Sequence, residues 1–264
     1  MAREIEQVDS LLVIDVGNSR IGMSVWNRDG MNDTRRISAL DEDAWPTAIR
    51  EMWDLTRPKD RRAIVMGSVS PRVAGVFAEI VDEVCDCPPA RVRDHVPLPM
   101  ELDIEGVEEV GVDRVCSAAA AYAQVQGACA IASFGTAITI DCVNADGRFL
   151  GGTILPGLQM SLDALHEDTA ALPQILMSAA SATSTLPGKS TQSAMLGGVL
   201  YGAVGALREI VEQYANELKS WPTLIVTGGN AALLRERIDF ADAWVPDLCL
   251  MGVALAYRRA AGMV

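Results

Sequence analysis

Leu11-Leu12-Val13-Ile14-Asp15-Val16-Gly17-Asn18-Ser19-Arg20-Ile21-Gly22 decides the fold, because its pattern returns half a chain later. The second copy is Ala128-Cys129-Ala130-Ile131-Ala132-Ser133-Phe134-Gly135-Thr136. After the first copy apolar residues alternate at Ile21, Met23 and Val25; after the second they alternate at Ile138, Ile140 and Cys142. The first then reaches Asp29-Gly30 and the second Asp146-Gly147. Gly17 maps onto Gly135 at an offset of 118, and Asp29 onto Asp146 at an offset of 117. Each copy therefore reads as a strand, a tight polar turn, a second strand, and a D-G turn into a third. Two such copies fit a duplicated two-domain architecture better than a solenoid, whose periods run to roughly 20–50 residues.

The flanking pattern alternates strands with helices, which makes the class α/β. The first half continues with a predicted helix over 43–56, a buried strand over 63–66, the loop Gly67-Ser68-Val69-Ser70-Pro71 and a helix over 72–85. In the second half helices are predicted over 158–165 and 193–217. A strand over 224–226 ends in Thr227-Gly228-Gly229-Asn230, and a closing helix covers 248–261. An Ala-rich, charge-free run after Arg114 reads as the helix joining the halves. The expected domains are 1–114 and 115–264. The stretch 178–191, rich in Ser, Ala and Thr, reads as an exposed, mobile loop.

Composition narrows the function. With 22 Lys and Arg against 35 Asp and Glu, the 264-residue chain carries a formal charge of −13. That balance argues against nucleic acid or an anionic membrane as partner, since phosphate backbones need a basic footprint. It also means that an anionic ligand must be held by backbone N–H groups or a few local cations against the protein's own field. The first ten residues contain no apolar signal core, and the longest charge-free stretch, 115–140, is too poor in Leu, Ile and Val for a membrane span. The expectation is a cytoplasmic protein. Six cysteines without any C-x-x-C pair, and two separated histidines at 95 and 166, read as buried thiols rather than a disulfide framework or a zinc site.

An apolar strand that stops at Asp15 and turns through Gly17-Asn18-Ser19 exposes a carboxylate and gathers backbone N–H groups. Such a turn can hold phosphate, and the carboxylate can hold Mg²⁺ directly or through water. The same residues also make an ordinary hairpin turn. Two copies facing each other across a cleft would form a clamp. Neither G-x-x-x-x-G-K-[ST] nor G-x-G-x-x-G occurs, so the P-loop and Rossmann signatures are missing.

Asp15-Val-Gly-Asn-Ser-Arg20, Gly111-Val-Asp-Arg114 and Phe134-Gly-Thr-Ala-Ile-Thr-Ile-Asp141 occur in that order. Gly151-Gly152, Pro156-Gly157-Leu158, Thr169-Ala-Ala-Leu-Pro173, Ala194-Met195, Gly202 and Thr227-Gly-Gly229 follow. The ordered set resembles the type III pantothenate kinases, a branch of the acetate-and-sugar-kinase, Hsp70 and actin superfamily. The resemblance implies two ribonuclease-H-like domains around an ATP cleft and a homodimer whose subunits share the pantothenate pocket. The implied reaction is ATP-dependent phosphorylation of the primary hydroxyl of pantothenate, which opens coenzyme A synthesis.

By the same resemblance, Asp15, Val16, Gly17, Asn18, Ser19, Arg20, Ile21 and Gly22 match the first phosphate motif, with Asp15 near Mg²⁺. Gly111, Val112, Asp113 and Arg114 match the substrate loop, with Asp113 as general base and Arg114 as a local cation. Gly135 and Thr136 match the second phosphate motif, and Gly228 and Gly229 the region beside the adenosine. Thr191 matches the family's substrate threonine, although the usual flanking Asn and Glu are Ser190 and Ser193 here. Ser133 stands where the family has an Asp that helps bind a monovalent cation (K⁺ or NH₄⁺), and Ile104 stands where it has a substrate Tyr. These two departures leave room for other classes. One is an inactive relative acting as a regulatory binding protein; another is a kinase of the same fold with a different hydroxylated substrate. An actin-like filament protein fits least, because the chain has no space for the large insertions expected there.

Overall fold

The computed structural model describes residues 5–56, 61–178 and 186–264, in two units. The first unit comprises Met1–Ala123 and Leu248–Val264, the second Gln124–Asp247.

In the first unit the apolar run becomes β1 (Ser10–Val16). Leu11, Leu12, Val13 and Ile14 are wholly buried. A strand covered on both faces reads as a continuous apolar run rather than an alternation. β1 pairs antiparallel with β2 (Arg20–Asn27), which pairs antiparallel with β3 (Gly30–Ser38). On its other side β1 runs parallel to β4 (Arg62–Ser68), which runs parallel to the short β5 (Ala90–Arg91), giving the order β3-β2-β1-β4-β5. The second unit uses β6 (Cys129–Phe134), β7 (Ala137–Val143), β8 (Phe149–Pro156), β9 (Thr223–Thr227) and β10 (Ala243–Trp244). Its order, β10-β9-β6-β7-β8, is the first sheet read from the opposite edge, with every pair in the same sense. The fold is α/β and duplicated.

The shift of offset from 118 to 117 has a structural cause. Three residues, Gly17 to Ser19, join β1 to β2, whereas two, Gly135 and Thr136, join β6 to β7. The N–H of Gly17 donates to the carbonyl of Arg20 at 3.0 Å; the N–H of Gly135 donates to the carbonyl of Ala137 at 3.0 Å. Asn18 is the additional residue, and the strands on either side keep their pairing.

Side chains of β1 alternate between two buried clusters. Leu12, Ile14 and Val16 pack on α1 (Trp45–Leu55) and α2 (Pro71–Cys85), where the rings of Trp45 and Phe77 meet edge to face at 5.2 Å. Leu11 and Val13 pack with Val112 and Cys116 of α3 (Val112–Val125) and with Leu250, Val253 and Tyr257 of α6 (Leu248–Ala260). This second cluster corrects the expected division at residue 114. Most of α3 belongs to the first unit, and the closing helix returns to it, because both bury apolar side chains on the α6 face of β1.

In the second unit, α4 (Leu158–Glu167) lies beside the 28-residue α5 (Thr191–Leu218). α5 has the length and apolar character of a membrane span, but Leu200, Leu207 and Val211 lie in the unit's core with Ala130, Ala132 and Phe134. Between α4 and α5 a cavity of about 800 Å³ is lined by Leu158, Leu165, Met195, Gly198, Val199 and Gly202. The elements predicted with bounds occur with ends moved by at most two residues, and the helix expected after Arg114 begins at Val112, three residues earlier. Much of the loop expected over 178–191 lies outside the described residues.

Candidate active site

Asp15 follows Leu11 and Val13 in the alternation of β1, so its side chain points to the α6 face of the sheet. Its neighbours in register are Gly22 on β2 and Gly67 on β4. A Cβ at Gly22 would stand 3.4 Å from Leu250, and one at Gly67 would stand 2.8 Å from Val253. Glycine on both sides therefore lets α6 settle against the sheet beside the carboxylate. Gly22 is in turn opposite Arg36 on β3, so the row across the sheet is Gly67, Asp15, Gly22, Arg36.

Asp15 is half-buried, and its Oδ1 has no hydrogen-bond partner. Burial, and then the charge of Asp113, raise its pKa from the ordinary 3.8 to about 7; a hydrogen bond from the Cys249 thiol and the charge of Arg36 pull the other way. A carboxylate from a distant part of the chain, in the same unit, thus acts on Asp15 through its charge.

Asp113 lies in the first turn of α3. A Cβ at Gly111 would stand 2.5 Å from Asp113 Oδ1, so the glycine of the G-x-D-R motif is needed for space. The same Oδ1 accepts a hydrogen bond from the Arg114 N–H at 2.8 Å. Burial raises the Asp113 pKa, while the Arg114 N–H and guanidinium hold it back. The loop before α3 is braced by Arg93, whose guanidinium donates to the carbonyls of Glu108 at 2.6 Å and Val110 at 2.7 Å. A carboxylate fixed at a helix start, with its pKa raised by burial, is a stronger proton acceptor than an ordinary one.

In the second unit the β6–β7 turn is packed from the side of β9. Gly228 has φ +100, and a Cβ there would lie 2.5 Å from the backbone of Phe134. The Asn230 N–H donates to the carbonyl of Phe134 at 2.9 Å, and its side chain donates to the carbonyl of Gly135 at 3.3 Å. The side chain of Thr136 is exposed, as are Gly228 and Gly229. Ser133 is paired with Thr139 on β7 and Thr227 on β9, so its row carries three hydroxyls.

A sequence profile of the type III pantothenate kinases matches residues 11–213. The chain belongs to the type III pantothenate kinase family. A type III pantothenate kinase of Rhodospirillum centenum is 36% identical over 260 residues, covering 94% of this chain and 98% of the relative. Among solved structures, a Campylobacter jejuni protein described as a Baf family transcriptional activator has a TM-score of 0.60 at 17% identity, over 94% of this chain and 98% of its own. An archaeal actin homologue has a TM-score of 0.52 at 12% identity, over 96% and 99% of the two chains. At these identities the two structures speak for the fold alone, a duplicated α/β fold that an actin homologue also has.

With the kinase family in view, the predicted residues fall into three places. Asp15 to Gly22 form the β1–β2 hairpin, and Gly111 to Arg114 open α3; both lie in the first unit, where the charge of Asp113 is felt at Asp15. Gly135, Thr136, Gly228 and Gly229 lie in the other unit, where Asn230, not predicted, ties the turn at Gly135 to the end of β9. Thr191 is exposed at the first residue of α5. The serines flanking it form a reciprocal capping box: the Ser190 hydroxyl accepts from the Ser193 N–H at 3.1 Å, and the Ser193 hydroxyl accepts from the Ser190 N–H at 2.9 Å. The departure from Asn and Glu thus preserves a capped helix start.

Arg36 and Cys249 were not among the residues predicted from the kinase motifs. Arg36 could have been found from the register that sets it opposite Gly22; Cys249 could not, because it reaches Asp15 from the other end of the chain. For a divalent cation, a buried carboxylate oxygen without a hydrogen-bond donor is a fitting position. Among the described residues no group of three or more His, Cys, Asp or Glu is arranged to hold an ion. One carboxylate supplemented by phosphate oxygens and water is a usual arrangement for Mg²⁺.

Proposed function

We propose that this kinase transfers the γ-phosphoryl group of ATP to the primary hydroxyl of pantothenate, giving 4'-phosphopantothenate, the first step of coenzyme A synthesis. Family membership supports the substrate, and the meeting of Asp15 and Asp113 in one unit carries the assignment of roles.

Asp113 is the general base. An alcohol is a weak acid, and a carboxylate within reach takes its proton as the oxygen attacks phosphorus. Its raised pKa favours that transfer, and the Arg114 N–H holds the carboxylate in place. Arg114 provides the positive charge that an anionic substrate needs on a protein of net charge −13. The turn from Gly17 to Ser19, with Val16, Arg20, Ile21 and Gly22 beside it, and the turn at Gly135 and Thr136 present N–H and hydroxyl groups to phosphate. Gly228 and Gly229 leave space for the adenosine. Asp15 would hold Mg²⁺, which when bound neutralises charge on the phosphate oxygens. Ser133 offers a dipole where the family's Asp offers a full charge, so dependence on a monovalent cation is weak.

The active form is a homodimer in the cytoplasm, with pantothenate and ATP as its small-molecule partners and neither nucleic acid nor membrane among them. The apolar α4–α5 face, with Tyr201 40% exposed and Gly198 and Gly202 on its rim, supports a second copy as its cover. Thr191 begins the same helix, in keeping with a substrate pocket shared between subunits. ADP release should rise on adding pantothenate and stay at the background rate with other hydroxy acids. ADP release indifferent to pantothenate would remove this substrate, and a fully active monomer in sedimentation would remove the shared pocket.

A further inference from the structure

Arg93 belongs to none of the kinase motifs, yet its backbone and its side chain are both held in unusual ways. It lies in the turn after β5. The N–H of Val92 donates to the carbonyl of Met66 at 2.9 Å, which keeps the chain on the sheet. Val92 and Val96 are buried and form a bridge, and the N–H of Arg93 donates to the carbonyl of Val96 at 2.7 Å. The N–H groups of His95 and Val96 both reach back to the carbonyl of Arg91, at 2.9 and 3.0 Å. So tight a turn puts Arg93 at φ +82, in the left-handed region that an arginine rarely adopts. Such a conformation persists only where the surroundings over-determine it.

From this fixed base the side chain crosses to a segment that faces solvent, since residues 105–109 are exposed. The two terminal nitrogens of one planar guanidinium donate to the carbonyls of Glu108 at 2.6 Å and Val110 at 2.7 Å. Two carbonyls two residues apart are thereby fixed together, which suits a rigid fork better than a single ammonium. Val110 is buried and immediately precedes Gly111, where a Cβ would crowd Asp113 Oδ1. A shift of the Val110 peptide therefore carries into the turn that holds Asp113 and Arg114.

We propose that Arg93 is a positioning residue for the substrate loop: its guanidinium sets the Glu108 and Val110 carbonyls so that Asp113 and Arg114 stand where the transfer needs them. Arg93 itself touches neither pantothenate nor nucleotide. The inference rests on the assignment of Asp113 and Arg114 to the reaction.

The test separates the fork from the turn that carries it. Arg93→Gly removes the guanidinium and suits the left-handed backbone, so the turn itself is not the cause of a loss. In this variant kcat/KM for pantothenate should fall about 10–100-fold, the cost of misplaced reacting groups, while KM for ATP stays within about twofold. Added guanidinium ion, kept below denaturing concentrations, should restore part of that loss and leave the unaltered protein unchanged. Urea and sodium chloride at the same concentrations are the controls. Arg93→Lys, which keeps the charge without the fork, should recover less than the full rate. Thermal unfolding checks that each variant is folded, and Arg93→Asn, which also tolerates this backbone, replaces the glycine variant should that one fail. Full kcat/KM for pantothenate in Arg93→Gly would overturn the inference. So would a deficit that guanidinium leaves unmoved, or one shared equally with ATP. Asp113→Asn separates the two layers. Unaltered turnover there removes the general base and the inference together. Lost turnover there, with Arg93→Gly unaltered, removes the role of Arg93 alone.

Discussion

Asp15 and Ser133 occupy corresponding positions in the two copies of the same sheet. Each precedes the apolar residue that ends a central strand, Val16 in one and Phe134 in the other. Their neighbours differ systematically. Asp15 lies between Gly22 and Gly67, Ser133 between Thr139 and Thr227. In the first unit the absence of side chains beside the carboxylate admits α6, and burial, with the charge of Asp113, raises the Asp15 pKa to about 7. In the second unit three hydroxyls fill the row, and the position is dipolar rather than charged. Duplication thus supplies two similar turns, and divergence sets a carboxylate between glycines in one and a row of hydroxyls in the other.

The strongest way to break that contrast is Asp113→Asn. Turnover should fall about 10²–10⁴-fold, the usual cost of losing a general base, while nucleotide binding is kept. Unchanged turnover, measured by ADP release at saturating ATP, would remove Asp113 from the chemistry. Asp15→Asn should come next, with pantothenate-dependent turnover reduced roughly 10²-fold through loss of the cation's carboxylate. Full activity at ordinary Mg²⁺ would make the two copies equivalent.

The same substitution sharpens the comparison through stability. Asp15 titrates near 3.8 when unfolded and near 7 when folded, so between these values the native state binds the additional proton. Stability of the nucleotide-free protein should therefore fall as pH rises from about 4 to 7 and level off above. Asp15→Asn should lack that slope and be more stable by about 1–2 kcal/mol at pH 8, a discounted figure for a half-buried group. Parallel denaturation curves for the two proteins across this range would contradict it.

Much of the first unit's site was legible in the chain because β1 is a buried strand ending in Asp15, and buried strands read as apolar runs. The second copy made the duplication legible. The two-residue strands β5 and β10 were not, since two residues carry no period. The expected domain division failed at α6 because a helix's partner is set by tertiary packing. α6 is apolar on much of its surface, and only its burial with Val13 and Cys116 assigns it to the first unit. Cys249 was missed for the same reason. Arg36 was hidden in a mostly exposed strand, where an arginine is ordinary, and it gains meaning only from its register with Gly22.

The smallest expected effect concerns Ser133. A full charge in place of a dipole near a bound cation is worth about 1.4 kcal/mol after desolvation, or tenfold in affinity. Wild-type activity should respond little to K⁺ at fixed ionic strength, and Ser133→Asp should shift half-activation to K⁺ concentrations lower by about tenfold. Strong saturable activation of the unaltered enzyme by K⁺, compared with a large organic cation, would show that the hydroxyl row does what a carboxylate does.

The measurement that reaches the central claim most directly is ³¹P NMR of a reaction containing ATP, Mg²⁺ and pantothenate. The account predicts a new phosphomonoester resonance, coupled to the protons of pantothenate's primary carbinol and growing in step with ADP, and its near absence with Asp113→Asn. No such resonance from the unaltered protein, or equal product from the Asp113→Asn variant, would contradict it.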